Sequence, residues 1–107
     1  MKMSSILDER IELFTRLLRE RLGSHLIRVV LFGSRARGDA QEDSDYDCLI
    51  VVREVSCDVK NAIDDAAGET LLQTGAVISA FPITEHSIEC MPFNPLLMSV
   101  REEGVVV

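Results

Sequence analysis

Residues 31–52 read LFGSRARGDAQEDSDYDCLIVV. Two short apolar runs, Val29–Phe32 and Cys48–Val52, bracket a polar segment rich in arginine and acid. Each run is continuous, β-branched and bounded by turn or charged residues, which is the pattern of a buried strand. The second run opens on Asp45-Tyr46-Asp47. Side chains two apart on a strand share a face, so Asp45 and Asp47 are expected side by side. Two like charges held together repel, and a hard cation placed between them relieves that repulsion. Mg2+ or Mn2+ suits a pair of carboxylates.

The first run ends at Gly33-Ser34. A glycine there lets backbone N–H groups approach a ligand, and the following turn can present them to phosphate oxygens. Arg35 and Arg37 add positive charge close by. Phosphate donors on one side and metal-binding carboxylates on the other make a site for a metal–nucleoside triphosphate. A calcium loop is the rival reading, since Asp43, Asp45 and Asp47 alternate and Glu54 stands twelfth. Cys48 occupies its required glycine position, however, and an apolar run replaces its later ligands.

Gly33-Ser34, then Gly38, then Ser44-Asp45-x-Asp47 form the pattern G-S-x3-G-x5-S-D-x-D. This pattern resembles the signature of the DNA polymerase beta-like nucleotidyltransferase superfamily, and the short length is similar to its minimal nucleotidyltransferase (MNT) branch. The resemblance implies transfer of a nucleoside monophosphate, AMP from ATP, to a hydroxyl of a protein or small molecule. It implies that Asp45 and Asp47 are catalytic and hold Mg2+ or Mn2+. Gly33 and Ser34 would position the β- and γ-phosphates, with Arg35 and Arg37 neutralising the triphosphate. It also implies a third carboxylate on a later strand, in an apolar–acid–apolar setting. In Val77-Ile78-Ser79-Ala80-Phe81 a serine, Ser79, stands at that position. Glu69, Glu85 and Glu89 are substitutes between which no pattern decides. Two readings therefore stay open: an enzyme, or a non-catalytic nucleotide-binding module such as an antitoxin. The family further implies a small helical HEPN-type partner.

The chain has 107 residues, enough for one domain with a core of its own. Residues 1–107 are read as a single minimal nucleotidyltransferase domain. No apolar stretch approaches the ~20 residues that span a bilayer, and the N-terminus carries acids where a signal peptide would be apolar. Three cysteines, Cys48, Cys57 and Cys90, are an odd number without metal-type spacing, so a reduced, cytoplasmic protein is expected. Cys48 is simplest as a small core residue. A net charge of −7 argues against a nucleic-acid polymer as partner. The charge is uneven: residues 1–37 hold eight Lys/Arg against four Asp/Glu, and residues 38–107 hold three against fourteen. An oligomer is left open.

Along the chain, Ser5 to Asp8 resembles a capping box. Leu7, Ile11, Phe14, Leu18 and Leu22 then follow at helical spacing before Gly23, which predicts a helix over about 5–22. Leu26–Phe32 is the first strand, a helical turn falls within 34–43, and Asp45–Arg53 is the second strand. Asp58 is the expected cap of a helix to about Leu72, with Val59, Ile63 and Ala66 inward. Gly75–Ile83 reads as a third strand, with Pro82 pointing to a sheet edge or a strand end. Thr84 caps a short turn, and Asn94-Pro95 starts a helix that Gly104 stops. Val105–Val107 is a last strand or a covered tail. Helices alternating with three short strands predict an α/β (α+β) class with the sheet covered by helices mainly on one face. The nucleotidyltransferase resemblance implies that this small β-sheet is mixed.

Overall fold

The computed structural model describes residues 8–37 and 45–107. Helix α1 (Glu9–Leu22) starts on Asp8, whose carboxylate accepts the Arg10 and Ile11 N–H groups at 3.0 and 3.1 Å. The cap is therefore Asp8 rather than Ser5, because its short side chain folds back onto the open N–H groups of the first turn. Ser5 and Leu7 lie outside the described residues. Ile11, Phe14, Leu18 and Leu22 are buried as their spacing requires, with Leu17 beside them. Gly23 leaves the helix at φ 55° and opens a single tight turn that feeds β1 (Leu26–Phe32).

One helical turn, α2 (Ser34–Arg37), follows, and then β2 (Tyr46–Val52). Helix α3 (Cys57–Thr74) is capped by Ser56, whose hydroxyl accepts the Val59 N–H at 3.2 Å; Asp58 sits in the first turn instead. Gly75, at φ 79°, closes α3 with its N–H on Leu71, so β3 starts later than expected (Ile78–Ile83). Helices α4 (Glu85–Cys90) and α5 (Pro95–Glu103) are capped by Thr84 and Asn94, as read from the sequence. The chain's last valines pair as β4 (Val105–Val106).

The sheet order is β3-β2-β1-β4, with β1 antiparallel to β2 and β4, and β2 parallel to β3. It is mixed, and Pro82 lies on β3, an edge strand, where proline is tolerated. The pleat divides the core in two. Val29, Leu31, Tyr46, Cys48, Ile50 and Val52 pack with α1 and α3. Val30, Phe32, Leu49 and Val51 face the other way, toward Leu97, Ile88, Leu96 and Val100 of α4 and α5. The two long helices cover one face and the two short ones cover part of the other. Each large apolar side chain sealed in this way contributes about 1.5–3 kcal/mol. The surface ion pairs, Arg21 with Glu69 and Arg28 with Glu85, contribute little beside that.

Tyr46 fastens the first helix to the central strand. Its ring is buried and its hydroxyl donates to the Asp8 carboxylate. Burial, and then the bond to Asp8, pushes its pKa up to about 12. Burial would raise Asp8 too, but the Tyr46 hydroxyl, the Ile11 and Arg10 N–H groups and the Arg10 charge outweigh it and lower its pKa.

Tyr46 is the only tyrosine, so phenolate absorbance reports it alone. Its titration midpoint is expected near 12 instead of the ordinary 10.0. Because folding raises this pKa, the stability it brings is complete below pH 10 and lost on approach to 12. Tyr46→Phe should cost about 1–2 kcal/mol in urea unfolding at neutral pH and remove that alkaline decline. A midpoint near 10 would mean that the ring is not held as described.

Candidate active site

The candidate site forms where β1 ends beside the start of β2. Phe32 pairs with Asp47, and the chain then turns at Gly33 with φ 77°. A Cβ on Gly33 would lie 2.5 Å from the Asp47 Oδ2. Only glycine allows both the backbone angle and the close approach. The Gly33 carbonyl accepts the Ala36 N–H at 3.1 Å, which starts α2 directly after the bend.

Asp47 is half-buried, and Asp45 is exposed one residue ahead of β2. Tyr46 points into the α1/α3 core, so alternation places Asp47 on the opposite face with Leu49 and Val51. On that face the Phe32 and Phe81 rings approach to 5.9 Å between centroids. Strand β3 brings Ser79 into register with Asp47, and the Ser79 hydroxyl donates to the Asp45 Oδ2 at 3.5 Å. The parallel pairing thus places a neutral hydroxyl where an acid was expected.

None of the substitute acids replaces it. Glu69 is bound by Arg21 at 2.6 Å. Glu85 pairs with Arg28 and opens α4 beyond the far end of β3, past about 13 Å of strand from Ser79 to Ile83 at ~3.3 Å per residue. Glu89 is exposed on α4. Among the described residues, no three His, Cys, Asp or Glu side chains gather where they could hold a metal ion.

Ser34 begins α2 and Arg37 ends it; their side chains, with Gly38 and Ser44, lie outside the described residues. The Arg35 guanidinium lies over the Tyr46 ring, 4.3 Å from its centroid, and Arg10 lies near the same ring at 5.4 Å. Arg35 therefore stacks on the ring that faces the α1 side. Cys48 is fully buried, and burial, then the Asp47 charge, pushes its thiol well above the usual range. It is a core residue, as read.

Tyr46 and Asp8 are the supporting residues that sequence reasoning passed over. A signal existed: a tyrosine between two same-face acids must point to the other side, and a buried phenol needs an acceptor. Nothing local named Asp8 as that acceptor.

The close approach of the Gly33 backbone to the Asp47 carboxylate and the oxygen-only set of Asp45, Asp47 and Ser79 suit a hard divalent ion. The residues present fit such an ion.

The family model of the nucleotidyltransferase domain matches residues 11–106, and the chain belongs to that family. Two Methanocaldococcus jannaschii relatives are provisionally named protein adenylyltransferases. One is 30% identical over 101 residues, covering 92% of this chain and 66% of the relative, so this chain spans just under two thirds of that protein. The other is 36% identical over 100 residues, covering 94% and 96%. The fold is similar to that in a crystal structure of a toxin–antitoxin with AMP-PNP: TM-score 0.65, 16% identity, 92% of this chain and 72% of that one. It is also similar to that in a complex of a tri-AMPylated Shewanella oneidensis HEPN toxin with its MNT antitoxin: TM-score 0.58, 14% identity, 91% and 67%.

Gly33→Ala is expected to cost about 1–2 kcal/mol for the positive φ alone, plus the clash with Asp47. In an Asp47→Ala background the clash disappears and only the backbone part should remain. A double-mutant cycle by urea unfolding measures this; equal costs in both backgrounds would show that Gly33 and Asp47 do not touch.

Proposed function

We propose that this nucleotidyltransferase binds a divalent-metal complex of a nucleoside triphosphate, ATP, and transfers AMP to a hydroxyl of a protein or small molecule. The observation that carries the reading is the approach of Gly33 to Asp47, with Asp45 and Ser79 adjacent. The backbone N–H groups of the Gly33 bend and the start of α2 would bind phosphate oxygens. Asp45 and Asp47 would hold Mg2+ or Mn2+, which supplies neutralisation of the charge that develops in phosphoryl transfer. Ser34 and Arg37 would contribute to phosphate binding from the same turn, and Arg35 would do so by leaving the Tyr46 ring. The acceptor hydroxyl's oxygen forms a bond to the α-phosphorus and gives its proton to solvent, the α–β bridge breaks, and pyrophosphate leaves.

The names of the two M. jannaschii relatives support adenylyl transfer. The HEPN toxin complex with an MNT antitoxin supports a small helical partner protein as acceptor. No helix among the described residues is long and apolar enough to cross a membrane. The three free cysteines support a reducing, cytoplasmic setting.

Ser79 favours a second reading, in which the chain binds the nucleotide and its partner without turnover. A serine brings no charge to the set, so an ion held beside Asp45 is bound more weakly. Incubation with α-labelled ATP, Mg2+ or Mn2+ and the product of the neighbouring gene separates the readings. Label transfer that Asp45→Asn abolishes supports the enzyme; tight complex formation without transfer under either metal supports the module. Asp47→Ala should weaken metal–nucleotide binding tenfold or more in calorimetry while leaving stability unchanged or higher, since like-charge repulsion is relieved. Ser79→Asp should raise Mn2+ affinity tenfold or more; unchanged affinity would remove Ser79 from the site.

A further inference from the structure

Helix α4 carries two groups that the nucleotide site does not use. His86 and Cys90 stand four residues apart, and the helical turn brings the Cys90 Sγ to 3.5 Å from the His86 Nε2. Both side chains are exposed. Helix α4 follows the last residue of β3, so it begins at the end of the sheet opposite Asp45.

Zinc binds a thiolate sulfur at about 2.3 Å and an imidazole nitrogen at about 2.0–2.1 Å, and a tetrahedral angle between them puts the two atoms about 3.5 Å apart. The pair already has that separation. We propose that His86 and Cys90 form a two-point nitrogen–sulfur chelate for a borderline-soft divalent cation such as Zn2+. On binding, the neutral imidazole donates its Nε2 lone pair and the thiol gives its proton to solvent, one proton released per ion. Among the described residues no third His, Cys, Asp or Glu joins them. Water completes the coordination, and the ion exchanges with solvent instead of serving as a structural pin. The ligands differ in kind from Asp45 and Asp47, whose oxygens select hard ions.

A thiol–imidazole hydrogen bond would show the same separation, so the test uses a metal with a visible signature. Co2+ is titrated into the full chain carrying Cys57→Ser, which removes the other exposed thiol; Cys48 is buried. A thiolate-to-cobalt charge-transfer band is expected, saturating at one ion per chain and displaced by Zn2+. Carboxylates at the nucleotide site cannot produce it. Cys90→Ser should abolish the band, and His86→Ala should weaken apparent affinity at least fivefold, with circular dichroism unchanged in both. No band, a band that survives Cys90→Ser, or a smaller effect of His86→Ala would overturn the proposal.

Discussion

The pleat of β2 is the constraint on which the rest of this molecule depends. Successive side chains on a strand must leave on opposite faces. Tyr46 is therefore sent into the α1/α3 core while Asp45 and Asp47 are turned away from it. The same alternation splits the apolar residues behind them into two clusters, one under the long helices and one under the short ones. A slip of one residue would bury two carboxylates and expose a tyrosine, so the register that builds the core also builds the site. The Tyr46 hydroxyl on Asp8 makes that register visible to α1, which cannot shift without breaking the bond.

Gly33 supplies the complementary condition. Strand β1 must end close enough to Asp47 that no side chain fits between them, and the backbone must turn there with a positive φ. Both requirements fall on one residue, and glycine alone satisfies them. The result is a group of carboxylate oxygens set against the backbone of a helical turn, a juxtaposition suited to phosphates and a hard cation. Ser79 then sets the charge of this oxygen group. It lies in register with Asp47 and bonds to Asp45, so β3 contributes polarity without a third negative charge. Donor number and charge together tune affinity for hard ions, which gives this substitution its weight.

Much of this architecture was legible in the sequence because it rests on local rules. Period two in Cys48–Val52, helical spacing from Ile11 to Leu22, and the Thr84 and Asn94 caps each depend on a few adjacent residues. Where the reading missed, two nearby candidates competed. Asp8 displaced Ser5, and Ser56 displaced Asp58, because the extended backbone of the actual cap aims its oxygen at the open N–H groups. Gly75 read as the start of a strand, yet its left-handed backbone ends a helix instead.

By itself the sequence determined the strands that carry the site, the face shared by Asp45 and Asp47, and the glycine at the bend. These follow from side-chain periodicity and backbone sterics, which act over a few residues. Only the tertiary structure decided which residues meet across long separations. Ser79 reaches Asp45 because β3 pairs parallel to β2, Tyr46 finds Asp8 because α1 packs beneath the sheet, and Arg35 stacks on Tyr46. Such contacts depend on how whole elements pack, and no short pattern in the chain encodes them.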